Sequence, residues 1–577
     1  MTSFSLAGKE DISIVLCGAA GQGIKTVEQF LTQVLHEAGF HVTATKEYMS
    51  RVRGGTNSTQ IRVSSKRVRA FIDRIDIFIP LNKSAISRLR NRITKDTIII
   101  GESEFIEHEI DPNKYKVIEI PWTQIAQELG NQIYSNIIAA GVITELFKVD
   151  KELGEKYITS RFISKGENVL SKNIEAFTKG CEIADKLIEE KDPKIAIKGK
   201  QETSKELMYD GASIVGMGAI AGGCDFICSY PMSPSTGVLI FLAKYSHEFD
   251  ILVEQAEDEI AAINAGLGAS FAGARSLVST SGGGFALMGE GLSLSGMTEI
   301  PIVIHIAQRP GPATGLPTRT EQGDLELALY SGHGDFPRII LAPSTLEDAF
   351  YLTQEAFNIA AKYQSPVIIL TDQYFMDLYY DFPTLDISNI EIEKHVVETP
   401  EDYQRYLLTN NGISPRGIPS YGEGLVRADS DEHDEDGFIT EDLENIRPKM
   451  VEKRMNRLKE IEKGSIAPCL LGPKKYKTLV VGWGSTFNAI KEALDEINDD
   501  TVALLHFTQL YPLPKNTRKF LEKAEKLIIV ENNVTSQFSK LLKLYTGIDI
   551  DNKILKFNGM PFSVEELSKK IKKILEV

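Results

Sequence analysis

The sequence has little cysteine, no long hydrophobic run and no excess of positive charge, and each shortage excludes a class of protein. Five cysteines in 577 residues cannot form a dense disulfide framework, so a reducing compartment is expected. No apolar run approaches the roughly 18 residues that span a bilayer. The amino-terminal residues also lack the basic and apolar regions of a signal peptide. We therefore expect a cytoplasmic protein with no membrane partner.

The charge balance argues against a nucleic-acid partner. The chain has 64 Lys and Arg residues against 80 Asp and Glu residues, which gives a formal net charge of −16. General nucleic-acid binders need clustered positive charge instead. Hydrophobic residues make up 42% and charged residues 25%, which is ordinary globular composition. At typical domain sizes, this length predicts roughly three to five domains.

Short apolar runs alternate with helical periodicity along the chain, a pattern typical of α/β folds. We predict three consecutive α/β domains joined by a linker and interrupted by a charged insert. The insert holds an acidic cluster (429–437) and a Lys/Arg/Glu-rich helix (451–463), both interpreted as solvated surface. The predicted boundaries are 1–190 for the first domain, 191–206 for the linker, 207–390 for the second domain, 391–465 for the insert and 466–577 for the third domain.

Two segments of the first domain are candidate anion or subunit contacts. GAAGQG (18–23) follows an apolar strand and precedes a helix, so the backbone N–H groups around Gly21 and Gly23 could hold a phosphate. Tight packing of strand and helix explains these glycines equally well. In RVRGG, Arg51 and Arg53 precede a glycine pair and could face an anion or a partner, or simply solvent.

In the second domain, chemistry concentrates where predicted strands end. CDFICSYPMSPSTG (224–237) is a strand followed by a rigid, hydroxyl-rich turn. Glu259 begins a helix of small apolar residues, so its carboxyl is the acid expected to face inward. TSGGG (280–284) forms another turn, and the long Pro/Gly-rich loop after the next strand carries Arg309 and Arg319 as candidate carboxylate ligands.

These motifs together resemble a known family. YPMSPST, the segment around Glu259, TSGGG and QRPGPATGLPTRTEQGDL are similar to motifs of 2-oxoacid:ferredoxin oxidoreductase α subunits. GAAGQG and YMSRVRGG resemble the γ domain of that family, here fused ahead of α. The closing VVGWGST and VENN segments resemble its transketolase C-terminal-like domain. The insert resembles nothing recognised.

The resemblance implies an oxidoreductase subunit that works with thiamine diphosphate. Such enzymes decarboxylate a 2-oxoacid oxidatively, form an acyl-CoA from CoA and pass electrons to ferredoxin. A separate β subunit would supply the diphosphate and Mg²⁺ site and a [4Fe-4S] cluster. The two kinds of subunit would assemble as a heterodimer or a heterotetramer. The sequence agrees with that division, because it lacks both a Gly-Asp-Gly diphosphate motif and four clustered cysteines.

The resemblance also assigns roles to individual residues. Glu259 would be the catalytic acid that hydrogen-bonds the aminopyrimidine ring and promotes its imino tautomer. Ser233, which stands where the family usually has Thr, would contact the 2-oxoacid, and Arg309 and Thr318 would bind the same substrate. The residues expected to contact the cofactor are Tyr230, Pro231, Glu259, Ser281 and Gly282; no metal ligand is expected in this chain.

The substrate stays open at this point. Two arginines in one loop favour 2-oxoglutarate, while pyruvate and branched-chain 2-oxoacids are the alternatives. A non-catalytic assembly or electron-carrier scaffold is a further alternative from another functional class. Loss of Glu259 or Arg309 would have favoured the scaffold, and both residues are present.

Overall fold

The computed structural model describes residues 4–19, 23–49, 55–106, 109–111, 114–191, 193 and 195–576. Among these residues, no helix combines the length and the apolar character that a membrane crossing would require.

The first part of the chain forms an α/β layer around apolar strands. Its strands are β1 (Asp11–Ala19), β2 (His41–Glu47), β3 (Thr56–Ser64), β4 (Ile77–Pro80), β5 (Ile98–Gly101), β6 (Lys116–Glu119) and β7 (Leu207–Asp210). Its helices are α1 (Ile24–Glu37), α2 (Ala85–Leu89), α3 (Ser103–Ile106), α4 (Trp122–Glu128), α5 (Ser135–Leu146), α6 (Lys151–Phe162) and α7 (Glu167–Lys191). The apolar stripe of α1 packs on this sheet through side chains such as Val27, Phe30 and Leu31.

The second part alternates strands and helices more regularly. Its strands are β8 (Phe226–Ser229), β9 (Leu252–Gln255), β10 (Ser276–Thr280), β11 (Ile302–Gln308), β12 (Ile339–Leu341), β13 (Pro366–Asp372) and β14 (Tyr379–Phe382). Its helices are α8 (Gly211–Ala221), α9 (Thr236–Tyr245), α10 (Glu259–Phe271), α11 (Gly282–Leu287), α12 (Gly289–Thr298), α13 (Leu325–Tyr330), α14 (Leu346–Tyr363) and α15 (Gln373–Asp377). Strands β10, β11 and β13 are buried along their whole length, as continuous apolar runs predict for parallel strands covered on both faces.

The third part follows a long segment with little regular structure. Its strands are β15 (Cys469–Leu471), β16 (Thr478–Trp483), β17 (Val502–Phe507), β18 (Gln509–Tyr511), β19 (Lys526–Glu531) and β20 (Asn552–Leu555). Its helices are α16 (Ile446–Lys463), α17 (Phe487–Ile497), α18 (Thr517–Leu521), α19 (Gln537–Thr546) and α20 (Val564–Leu575).

The strands assemble into three sheets, which confirms the predicted α/β class. The first has the order β6-β5-β4-β1-β3-β2-β14-β7, the second β18-β12-β13-β11-β10-β8-β9 and the third β15-β17-β16-β19-β20. In the second sheet all neighbours from β12 to β9 are parallel. Parallel strands end at a common edge, so the turns after β8, β10, β11 and β13 lie together.

Two strands join sheets that are remote from their place in the sequence. Strand β14 pairs antiparallel with β2 in the first sheet, where Asp381 accepts a hydrogen bond from Val42 N at 2.7 Å and lies 2.5 Å from His41 Nδ1. Strand β18 pairs with β12 at the edge of the second sheet. The chain accordingly forms two compact units, Met1–Tyr209 with Leu378–Thr384 and Asp210–Asp377 with Leu385–Val577.

Three arginines of the 391–465 segment cap helices of the second part. Arg405 Nη2 donates to Glu299 O at 2.8 Å beyond the end of α12, and Arg457 Nη1 donates to Gln364 O at 2.8 Å beyond α14. Arg416 Nη2 donates to Ser270 O near the end of α10. The last turn of a helix leaves carbonyl groups without partners and carries partial negative charge, so these guanidinium groups stabilise the helix ends.

The same segment closes over a buried carboxylate. Glu299 Oε2 lies 2.6 Å from Lys453 Nζ and 3.5 Å from Arg457 Nη1. Burial alone would raise the pKa of Glu299, but the charges of Arg457, Lys453 and Arg405 outweigh it and lower the pKa to about 2. Lys453, Arg454 and Arg457 are only 2, 4 and 0% exposed. The interpretation of helix 451–463 as solvated surface was therefore wrong, because three of its cations are buried against acids or helix-end carbonyls.

We expect Glu299→Gln to lower the free energy of unfolding by about 3–5 kcal/mol, since it leaves two buried cations without a counter-charge. Urea unfolding at pH 7 measures the loss, and Glu441→Gln on the exposed surface of the same segment is the matched control. Because the folded-state pKa of Glu299 is depressed, its contribution is present above about pH 4.5 and disappears as the pH falls towards 2. Equal stability of both variants would contradict a stabilising role for the pair.

Candidate active site

The candidate site lies at the edge of the second sheet where the parallel strands end. Strand β8 runs into Tyr230, β10 into Ser281 and β11 into Arg309. Ligands in open parallel sheets bind beyond the carboxyl ends of the strands, since the connecting turns leave a crevice there.

Hydrogen bonds join the turns to one another. Arg309 Nη1 donates to the Ser233 carbonyl at 2.6 Å, and Ser281 Oγ donates to Met232 Sδ. The Met232 carbonyl also accepts from Ser235 N and Ser235 Oγ, at 2.9 and 2.6 Å. The turn after β8 is thereby fixed against the turns after β10 and β11.

Glu259 enters this site from the first residue of α10. Asp258 caps the helix by accepting from Ala261 N at 2.7 Å, which leaves the next carboxyl free to turn inward. Glu259 is 3% exposed, and within the described residues its Oε1 has no hydrogen-bond partner. Burial raises the pKa of Glu259; the charge of Asp258 adds to the rise and that of Arg309 opposes it. A buried carboxyl with a raised pKa at the end of a strand layer is a candidate for proton exchange with a ligand.

The glycines of the turn after β10 allow this burial. A Cβ atom at Gly284 would clash with Thr280 Oγ1 and with the Glu259 carboxyl, and one at Gly282 would clash with the Asp324 carboxyl. Gly283, between them, has the nearest atom at 3.6 Å from such a Cβ, the Ala313 carbonyl oxygen. Two of the three glycines are therefore required by close approach of an acid.

Arg309 is the cation of the site. Burial lowers the pKa of its guanidinium, and the charges of Asp324 and Glu259 oppose that change. Besides the bond to Ser233, its Nε is buried and, among the residues that the structure describes, has no hydrogen-bond partner. One edge of the guanidinium is thus fixed to the protein while donor capacity remains.

The loop after Arg309 is anchored on the third part of the chain. Gln322 donates through Nε2 to Trp483 O at 2.9 Å, and its Oε1 accepts from Asn532 N at 3.0 Å. Thr320 Oγ1 donates to Asp372 Oδ1 at 3.0 Å, and Ser485 Oγ donates to the other oxygen of that carboxylate. A loop that carries no regular structure is held in this way at its far end.

The structure brings together most, though not all, of the residues that the sequence indicated. Thr318 is buried in the same loop, but no hydrogen bond within the described chain joins it to Arg309 or Ser233. Arg319 turns away, with Nη1 3.8 Å from Met560 Sδ. Tyr230 is 39% exposed at the mouth of the site. The residues that cluster at the sheet edge are Tyr230, Pro231, Ser233, Glu259, Ser281, Gly282 and Arg309.

The candidate contacts of the first domain lie elsewhere in the chain. Gly23 directly precedes α1 and has a φ of 77°, a left-handed conformation that favours glycine. Gly21, Arg51 and Arg53 lie outside the described residues.

Sequence reasoning missed Asp324. This acid follows the two arginines in the same loop, and burial, with the like charge of Glu321, raises its pKa to about 7 against the opposing charge of Arg309. Its Oδ2 atom is buried, and in the described part of the chain it has no hydrogen-bond partner. An isolated acid in a long loop gives no periodic signal, and only the three-dimensional approach of Gly282 reveals its burial.

The polar atoms left without partners indicate a ligand site. Glu259 Oε1, Arg309 Nε and Asp324 Oδ2 are buried polar atoms that find no partner within the described residues. Buried polar atoms without partners are rare in folded proteins and mark places where a ligand completes the hydrogen bonding. Buried acids and a guanidinium where parallel strands end are features of an enzyme site for a polar ligand.

Comparisons with known proteins identify this class. Residues 217–453 match the family model described as pyruvate flavodoxin/ferredoxin oxidoreductase, thiamine diphosphate-binding, and residues 13–183 match the model described as pyruvate ferredoxin/flavodoxin oxidoreductase. The α subunit of 2-oxoacid:ferredoxin oxidoreductase from a Sulfolobus species is 31% identical over 98% of this chain and 97% of its own length. The corresponding subunit of Saccharolobus solfataricus is 32% identical over 98% of both chains.

A solved structure agrees with these relatives. The 2-oxoglutarate:ferredoxin oxidoreductase from Magnetococcus marinus, with 2-oxoglutarate, coenzyme A and succinyl-CoA bound, is 31% identical and superimposes with a TM-score of 0.92 over 98% of this chain and 99% of that one. The chain belongs to the 2-oxoacid:ferredoxin oxidoreductase α-subunit family. It is an oxidoreductase subunit with a thiamine diphosphate-binding domain.

We expect Gly284→Ala to lower the affinity of the assembled enzyme for thiamine diphosphate by about tenfold or more, since the new methyl group displaces the Glu259 carboxyl. Gly283→Ala is the matched control: it makes the same change in the same helix, but its methyl group meets only the Ala313 carbonyl oxygen at the ordinary contact distance of 3.6 Å. Titration calorimetry with the cofactor measures both. Equal affinities would show that the approach of Gly284 to Glu259 does not matter for cofactor binding.

Proposed function

We propose that this chain is the α subunit, with a fused γ-type domain, of an enzyme that converts a 2-oxoacid and CoA to an acyl-CoA and CO₂. The electrons pass to ferredoxin, and 2-oxoglutarate is the favoured substrate. The observation that carries the proposal is Glu259, buried at the strand ends with Oε1 lacking a partner among the described residues. The alternatives for the substrate are pyruvate and branched-chain 2-oxoacids.

Glu259 has the properties needed to hold the pyrimidine ring of thiamine diphosphate. The cofactor, when bound, supplies the electron sink for cleaving the bond beside a carbonyl group. In this role Glu259 would share a proton between its carboxyl and a ring nitrogen, and the raised pKa that burial gives it favours the protonated carboxyl. Tyr230, Pro231, Ser281 and Gly282, which follow β8 and β10, are the other proposed cofactor contacts.

Arg309, Ser233 and Thr318 are the proposed substrate residues. The bond from Arg309 Nη1 to the Ser233 carbonyl orients the guanidinium, which leaves its other donors for a carboxylate. The Ser233 hydroxyl lies on the turn that this bond fixes. Burial of Thr318 in the same loop is compatible with a pocket wall.

A β subunit completes this active site in our proposal. It contributes the diphosphate and Mg²⁺ site and the [4Fe-4S] cluster, because this sequence lacks their motifs. Ferredoxin and CoA are the remaining partners. The domains that we propose are the γ-type domain 1–190, the linker 191–206, the pyrimidine-binding domain 207–390, the insert 391–465 and the transketolase C-terminal-like domain 466–577.

Glu259→Gln tests the central role. The amide fills the same volume but cannot exchange a proton with a ring nitrogen, so turnover of the assembled enzyme should fall by roughly two to four orders of magnitude. Exchange of the thiamine C2 proton, followed by NMR, should slow in parallel.

Glu257→Gln, two residues earlier and exposed, is the control and should leave both rates unchanged. A C2 exchange rate near that of the wild type in Glu259→Gln would contradict the proposed role of Glu259. A wild-type complex that turns over no 2-oxoacid would contradict the proposed activity itself.

Arg309→Lys tests substrate binding. A guanidinium fixes a carboxylate with two parallel hydrogen bonds whereas an ammonium offers a point charge, so KM for the 2-oxoacid should rise roughly 10- to 150-fold. Affinity for thiamine diphosphate should change little. The control is Arg319→Lys in the same loop, which faces Met560.

Steady-state kinetics with 2-oxoglutarate and with pyruvate separates two roles for Arg309. A loss shared by both acids means that it binds the carboxylate next to the oxo group. A loss confined to 2-oxoglutarate means that it binds the distal carboxylate. Unchanged kinetics on every acid would make Arg309 a loop charge without a role in substrate binding.

A further inference from the structure

Asp324 is held firmly at the edge of the proposed substrate site. Its backbone N donates to Gln308 Oε1 at 3.0 Å, and Gln308 Nε2 donates to Thr371 O at 3.0 Å. Gln308 and Thr371 are the last or next-to-last residues of β11 and β13, so Asp324 is tied to two buried strands. The loop that begins at Arg309 therefore ends, at Asp324, in contact with Gln308, the residue that precedes Arg309.

The side chain of Asp324 does not perform the role that its position suggests. It directly precedes α13, where an aspartate usually accepts a hydrogen bond from the helix backbone. Within the described residues its side chain makes no such bond, and Oδ2 is buried without a partner. The carboxyl instead packs on Gly282, so closely that a side chain there would clash with it.

The charged groups around Asp324 come from several elements. Arg309 follows β11 and attracts its charge, while Glu321 in the same loop repels it. The charge of Glu259, from α10, acts on Arg309. On α13, Glu326 is engaged by Lys540 of α19 at 3.0 Å. Arg309 is thus the cation that acts on Asp324, and it is the proposed ligand of the substrate carboxylate.

We propose that Asp324 is a positioning residue that sets substrate affinity through Arg309. As a carboxylate it offsets part of the charge of the guanidinium and weakens capture of the 2-oxoacid, whereas as a neutral acid it leaves the full charge to the substrate. Two anions cannot both be neutralised by one guanidinium, so binding of the substrate carboxylate favours uptake of a proton by Asp324. This inference rests on the proposed function.

The direction of the pH dependence follows from the state of the free enzyme. Burial first, and then Glu321, raise the pKa of Asp324 to about 7, while Arg309 opposes them. Below that pH the carboxyl is neutral and KM for the 2-oxoacid is low. Above it the carboxylate competes for Arg309 and KM rises.

The test compares the wild type with Asp324→Asn in the assembled enzyme between pH 6 and 8. For the wild type we expect KM for the 2-oxoacid to rise by roughly three- to tenfold across this range. For Asp324→Asn, which has the same shape and no charge at any pH, KM should stay low and flat, with kcat within about threefold of wild type.

A second measurement does not depend on turnover. Calorimetric titration with 2-hydroxyglutarate at pH 7, in two buffers that differ in ionisation enthalpy, counts the protons taken up on binding. We expect an uptake of about half a proton per ligand for the wild type and none for Asp324→Asn.

A second variant protects the test against misfolding of the first. Glu321→Gln removes the like charge without touching the carboxyl, so the midpoint of the KM profile should move to lower pH and its amplitude should stay. An unshifted midpoint overturns the proposal even if Asp324→Asn does not assemble.

Two further outcomes also overturn it. One is a wild-type KM that does not change between pH 6 and 8; the other is a drop in kcat with KM unchanged in Asp324→Asn, which would make Asp324 a cofactor contact. Complete inactivity of the wild type on 2-oxoacids is different, since it removes the proposed function as well.

Discussion

The arrangement of the site depends on the burial of Gln322 between the second and third sheets. This residue has no exposed surface, and besides its two side-chain bonds its backbone N donates to Asn532 O at 2.7 Å and its carbonyl accepts from Asn533 Nδ2 at 3.1 Å. Because these polar groups of Gln322 are all hydrogen-bonded, any other position of the loop would leave buried donors and acceptors without partners. Arg309 and Asp324 lie at the two ends of that loop. The third part of the chain therefore fixes the loop that follows Arg309, although Arg309 itself comes from the second part.

Helix α10 joins two opposite uses of buried charge. At its start, burial and the charge of Asp258 raise the pKa of Glu259, and the opposing charge of Arg309 does not cancel that rise. At the other end of α10, some 20 Å away for thirteen residues, Arg416 caps the Ser270 carbonyl. Beyond the end of α12, the Arg457, Lys453 and Arg405 charges hold Glu299 ionised. The paired charges around Glu299 stabilise the fold, whereas the incompletely paired carboxyl of Glu259 near the strand ends is available for chemistry.

The sequence predicted those structural features that depend on residues close together in the chain. The buried strands β10, β11 and β13 were evident because burial on both faces restricts composition directly. The turn predicted over 280–284 is instead the start of α11, although the close approach expected there is present at Gly282 and Gly284. Strands β14 and β18 could not be assigned to their sheets, since each pairs with residues far away in sequence. Lys453 was misjudged for a similar reason: its partner Glu299 lies 154 residues earlier. Charge sequence alone does not show which acid a cation meets.

The position of Arg309 also limits how this loop can recognise a substrate. Arg319, the second arginine of the loop, lies at Met560, so of these two arginines only Arg309 is placed at the strand ends, where a carboxylate would bind. If 2-oxoglutarate is the substrate, one guanidinium cannot bind both of its carboxylates, which lie at opposite ends of a five-carbon chain. The second carboxylate then needs a donor from outside this loop, and the β subunit that the proposed function requires is one source of it. Under that arrangement the choice between a dicarboxylate and pyruvate is made where the two subunits meet, while Arg309 and Asp324 set how tightly the common carboxylate is held.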